Sequence, residues 1–113
     1  MFKGAELEKE LADYAVELGG VEEKIKNPKN EHKSLRVFKH NDRIFLIIHE
    51  GSDPLVVDFF THPEIQKRMI EQYETAAQSQ LIDKKRAVQL VLTDQFELAD
   101  VKSFILQSRD QNE

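Results

Sequence analysis

Five consecutive apolar residues, Ile44-Phe45-Leu46-Ile47-Ile48, stand between two turn signals, and they narrow the fold more than any other stretch. A strand with water on one face alternates polar and apolar positions. An unbroken run across Arg43 to Glu50 needs cover on both faces, or nearly so. His40-Asn41-Asp42 precedes it and Gly51-Ser52-Asp53-Pro54 follows, both rich in turn formers. Beyond these turns lie two more strand candidates. Ser34 to Lys39 alternates, with Leu35 and Val37 on one face and Ser34, Arg36 and Phe38 on the other. Leu55 to Phe60 is the third, its second face interrupted by Asp58. Connections this short cannot carry parallel crossovers, so the three strands form an antiparallel meander.

Helical patterns flank the meander. Leu7, Leu11, Tyr14 and Leu18 make one stripe between about Gly4 and Leu18, and Gly19-Gly20 ends it. From Val21 to His32 periodicity is lost, and Asn27-Pro28 and Asn30 mark turns, so this stretch reads as a long connection. After the third strand, Thr61-His62-Pro63-Glu64 predicts a helix capped by Thr61, with Glu64 completing a capping box. That helix runs to about Thr75 and buries Ile65, Met69, Tyr73 and Ala76. A weak strand, Gln78 to Ile82, then leads through Asp83-Lys84-Lys85 into a stronger one, Arg86 to Leu92. Asp94, or Thr93, opens the last helix, whose stripe is Leu98, Val101, Ile105 and Ser108 with Phe104 beside it. Arg109 to Glu113 is expected to fray. The expectation is a single α+β domain over residues 1–113, two-layered, with five mainly antiparallel strands backed by helices and one sheet face partly open.

With 113 residues, 40% of them hydrophobic, the chain is long enough to bury a core without a staple. Cysteine is absent, which removes thiol nucleophiles, cysteine-ligated metals and disulfides. The longest apolar run is far short of a roughly 20-residue membrane span. Glu6, Glu8 and Glu10 stand where a secretory signal would be apolar, so the expected location is cytoplasmic, away from membranes.

Catalytic patterns are sparse. His32, His40, His49 and His62 have no metal-ligand spacing, and neither a metal nor a cofactor is expected. Ser34, Ser52, Ser79, Ser103 and Ser108 sit in no nucleophile elbow. Asp58 and His62, four residues apart, are the one carboxylate–imidazole pair that local spacing suggests, although both residues also suit a strand end and a helix start. No catalytic motif is found, so the expectation is a non-enzymatic protein.

Charge is uneven. The chain carries −5 overall, yet Lys24 to Arg43 holds seven basic residues against two acidic, a local net of +5. Lys84-Lys85-Arg86 forms a second basic cluster. Both clusters lie beside hairpins and can offer phosphates a basic wing. Lysine and arginine at such places also serve simply to discourage edge-to-edge pairing.

The order of elements and several motifs resemble the MmcQ/YjbR family. These are Arg36-Val37-Phe38-Lys39 with Arg43-Ile44-Phe45-Leu46-Ile47, then Leu55-Val56-Val57-Asp58, Lys84-Lys85-Arg86 before Leu90-Val91-Leu92, and Val101-Lys102-Ser103-Phe104-Ile105. The chain departs from the family in lacking Trp and the His-Trp pair after the basic turn. The resemblance implies a bacterial protein with a double-wing fold like that of type III secretion chaperones, and a DNA-binding label that members commonly carry. On this chain the binding residues would be Arg36, Lys39 and Arg43 on one wing and Lys84, Lys85 and Arg86 on the other. The alternative is a protein-interaction module, docking a partner or a second copy through the open sheet face or an edge strand.

Overall fold

The computed structural model describes residues 4–28, 30–82, 85–93 and 96–111. Among the described residues, three helices back a six-stranded, wholly antiparallel sheet. In chain order the elements are α1 (Gly4–Glu17), β1 (Val21–Asn27), β2 (Asn30–His40), β3 (Arg43–His49), β4 (Leu55–Phe60), α2 (Pro63–Gln72), β5 (Ala76–Gln78), β6 (Ala87–Leu92) and α3 (Leu98–Gln111). Across the sheet the order is β1-β2-β3-β4-β6-β5.

The α+β architecture agrees with the sequence, but there are six strands where five are expected. The extra one is β1, in the stretch that reads as a loop. Six of its seven side chains are exposed, so it has no burial rhythm to detect. What holds it is the backbone ladder with β2 and ion pairs across it.

The central run of β3 divides between the faces through a β-bulge. Phe38 pairs with Leu46 and Lys39 with Ile44, which leaves Phe45 unmatched. Phe45 and Leu46 therefore both enter the helix-side core, while Ile47 lies in a smaller cluster on the other face, with Ile44 packed against it. The β2–β3 hairpin turns on Asn41 and Asp42, both at positive φ, as a two-residue type I′ connection needs. The helix-side core joins Phe38, Phe45 and Phe59 to Leu11 of α1, Met69 of α2 and Ile105 of α3.

The end of α1 is as the glycines predict. Gly19 has φ +87°, and the Gly19 and Gly20 amides donate back to Val16 and Ala15 at 3.0 and 2.9 Å, a Schellman closure. A Cβ on Gly20 would lie 2.6 Å from the Ala15 carbonyl oxygen and 2.8 Å from the Phe45 ring, so the backbone turns there against the core.

Other boundaries differ for local reasons. His62, not Thr61, caps α2, its Nδ1 accepting from the Glu64 amide at 3.3 Å. Thr61 lies just past the end of β4, where its amide donates to the Arg86 carbonyl at 2.7 Å. α2 stops at Gln72 rather than near Thr75, because Ala76 already pairs with Leu90 in β5. Ile65 is 36% exposed, and Gln66 takes its place inward by donating to the Ala87 carbonyl. The weak strand lies at Ala76–Gln78, ahead of the expected Gln78 to Ile82, and the residues after it bend over the sheet. α3 begins at Leu98, with Asp100 and Val101 donating to Glu97; the expected cap, Asp94, lies outside the described residues. Phe96 packs on Tyr73 at 4.9 Å, holding the approach to α3 in the core. Helix continues through Arg109 and Asp110, where fraying is expected, and Arg109 donates to the Leu18 carbonyl at 3.3 Å.

Candidate functional site

The face of the sheet away from the helices holds the polar chemistry. Register places Val21, Glu23 and Ile25 of β1 beside Lys39, Val37 and Leu35 of β2, followed by Ile47 and His49 of β3, Asp58 of β4 and Gln89 of β6. Leu81 and Ile82 reach back over this face and pack on Leu35, Val37 and Ile47. The sheet is thus closed at its middle and open towards β1.

Asp58 is fully buried in that surface. One carboxylate oxygen lies 2.6 Å from Nε2 of His49. The other accepts from the Ser79 hydroxyl at 2.6 Å and, at the long distance of 3.5 Å, from Gln89 Nε2. The Ser79 oxygen also accepts from the amides of Leu81 and Ile82 at 3.2 and 3.3 Å, so the same network fastens the covering segment. A carboxylate without water is costly unless its oxygens are bonded, and these three groups supply the bonds. His49 rims a cavity of about 290 Å³ with Asn27, Gln80, Leu81 and Gln89. Ser79 is fully buried with its hydroxyl spent on Asp58, an arrangement suited to fastening rather than nucleophilic attack.

This differs from the pairing that local spacing suggests. His62 is the cap of α2, and the imidazole on Asp58 comes from His49, nine residues earlier on the neighbouring strand. Among the described residues no three His, Asp or Glu side chains gather as a metal site would need.

The basic residues are divided. Arg36 lies on the helix side, bound by both oxygens of Glu22 at 2.8 and 3.0 Å and by Glu8 at 3.0 Å. Lys39 pairs with Glu23 at 3.0 Å on the opposite face, and Lys24 with Glu50 at 2.8 Å. Counting from Val21 to Glu50 the balance becomes seven bases against five acids, a net of +2. Arg43 and Arg86 lie at one end of the sheet, since Ala87 pairs with Phe60 and β3 runs antiparallel to β4. With only β4 between them, their strands are about 10 Å apart. Lys85 lines a separate cavity of about 550 Å³ beside α2, with Lys67, Ile70, Glu71 and Gln78. Lys84 lies outside the described residues.

The Glu22 carboxyl is held below its ordinary value of 4.5, first by its hydrogen bonds to Arg36 and then by the charges of Arg36 and Lys24, against the opposing effect of burial. A depressed folded-state value makes this contribution present above pH 4.5 and lost as pH falls through the folded value. Wild type is therefore expected to lose more stability between pH 5 and 3 than Glu22→Gln, by under about 1 kcal/mol because the pair is partly exposed to water. Urea unfolding across that window measures it, and identical pH profiles would overturn the assignment.

The fold and face define a helix-backed, open antiparallel sheet domain. No family model matches the chain, and no curated protein matches it. Among solved structures it is similar to a Pseudomonas syringae protein, with a TM-score of 0.70 and 16% identity over 93% of this chain and 97% of that one. It is also similar to Deinococcus radiodurans DR2400, described with a DUF419 domain, with a TM-score of 0.67 and 16% identity over 86% of this chain and 71% of the other. At that identity the likeness concerns the fold. No described helix is long and apolar enough to cross a membrane.

Proposed function

We propose that the protein is a non-enzymatic interaction module that docks other polypeptide through β1 and the adjoining open sheet face. The observation that carries this reading is β1 itself. It is a seven-residue edge strand, exposed along six positions, with Val21 70% and Ile25 42% exposed on the open face. An edge of that length presents unpaired amides and carbonyls to an added strand, and exposed apolar positions give that strand something to cover. The MmcQ/YjbR resemblance, with its chaperone-like fold, is in keeping with a binding role. The nucleic-acid reading draws its support from Arg43 and Arg86, at one end of the sheet.

A photo-crosslinking residue at Val21, compared with one at exposed Ser103 of α3, tests the proposal in cells making the protein. A polypeptide adduct is expected from Val21 and none from Ser103. No adduct from Val21, together with salt-sensitive binding of duplex DNA that is lost in Arg43→Ala/Arg86→Ala, would transfer the function to nucleic acid.

A further inference from the structure

We infer that β1 pairs with β1 of a second copy, antiparallel and centred on Glu23, so that two sheets join across a two-fold axis. The inference rests on the interaction reading and names the partner and the register. A two-fold axis normal to the sheet keeps both open faces on one side, so opposed residues must share a face. Three such registers pair at least five residues within β1, centred on Glu23, Lys24 or Ile25.

The first sets Val21 opposite Ile25 twice and Glu22 opposite Lys24 twice. Val21 and Ile25 are the large apolar side chains that β1 leaves exposed, and each becomes the other's cover. Glu22 and Lys24 are of opposite sign and both lie on the helix side, where their existing partners are Arg36 and Glu50. The one like-charged meeting is Glu23 with Glu23, and each of these carboxylates already has Lys39 at 3.0 Å. Centring on Lys24 would put Val21 against Asn27 and Ile25 against Glu23. Centring on Ile25 would oppose Lys24 and Lys26 twice. Charged edges usually keep strands apart, but the signs on this edge are complementary to themselves. The product is a continuous twelve-stranded sheet with an isologous interface. Five paired residues a side make a small interface, of the weak and reversible class.

The absence of native cysteine makes a single introduced thiol diagnostic. Sedimentation velocity of the full chain, from about 10 µM to about 1 mM, is expected to show a monomer–dimer equilibrium in the range such interfaces give. Val21→Lys/Ile25→Lys should weaken it at least about tenfold, with an unchanged circular dichroism spectrum. Glu23→Cys should give a covalent dimer with a short bis-maleimide in high yield, because opposed Cβ atoms lie about 5 Å apart. Lys24→Cys should give less, and Gln107→Cys on α3 essentially none. A monomer at every concentration, or equal yields from the three thiols, overturns the inference. A Val21 photo-adduct with a different polypeptide, beside a monomeric protein, would overturn self-pairing and leave the interaction reading standing. The loss of every adduct would remove both.

Discussion

Phe59→Ala is expected to lower the free energy of unfolding by about 3–5 kcal/mol, the range for emptying a fully buried aromatic site. Phe59 has no solvent exposure and sits on β4, one of the two central strands, between Leu46 of β3 and Val88 of β6. Its ring stacks on Phe104 of α3, centroids 5.7 Å apart and planes within 8°. Removing it takes apolar area from the core and also leaves α3 without its stacking partner on the sheet. Neither the strands, fixed by ladder bonds on both sides, nor the helix can collapse far into the gap. For a domain of this size the loss is about a fifth or more of the total stability. Phe60, the next residue, faces the other way and is half-buried, so Phe60→Ala should cost under about 2 kcal/mol. Urea unfolding followed by circular dichroism separates the two, with midpoints shifted and slopes unchanged. Equal losses would contradict the facing of β4.

How much of this was legible in the chain depends on where each signal resides. β3 and β4 could be read because burial is written in consecutive residues, and α1 because its stripe and its two glycines are local. The bulge at Phe45 could not be read, since it depends on which residue of β2 opposes it. β1 leaves no local signal for a related reason. Its side chains bury almost nothing, and its partners, Arg36 and Lys39, lie ten or more residues onward. The same distance misleads about charge. The basic stretch from Lys24 to Arg43 looks unopposed until Glu8, Glu22, Glu23 and Glu50 arrive from outside it. Asp58 was visible as an anomaly, a carboxylate in an apolar strand. Its neighbour in sequence, His62, was the wrong imidazole, because an extended strand carries residues four apart more than 10 Å along the sheet. Adjacent strands bring His49 alongside instead.

Asp58→Ala is expected to approach the damage done by the loss of Phe59, at about 2–5 kcal/mol, by a different mechanism. The substitution removes the acceptor common to His49 and Ser79, leaving a buried hydroxyl and a ring nitrogen without their partner. Losing one member of a buried pair costs more than the pair itself contributes, because the survivor keeps its desolvation penalty. The damage should be local first. Ser79 accepts from the Leu81 and Ile82 amides, so its release lets the covering segment lift from Leu35, Val37 and Ile47. Hydrogen exchange at Leu81 and Ile82 should rise well before exchange in α1 or α3. Asp58→Asn keeps the shape and one acceptor and should cost only about 1–2 kcal/mol. The decisive comparison is Asp58→Leu/His49→Leu/Ser79→Ala, which removes the three closely bonded members together and leaves only Gln89, the distant donor at 3.5 Å. If the network fixes the position of the segment more than it stabilises the fold, this variant should recover most of the stability lost in Asp58→Ala while the two amides stay fast-exchanging. Stability as low as that of Asp58→Ala would instead make the network a net contributor to the fold. Slow exchange at both amides would mean that Leu81 and Ile82 hold the segment by packing alone.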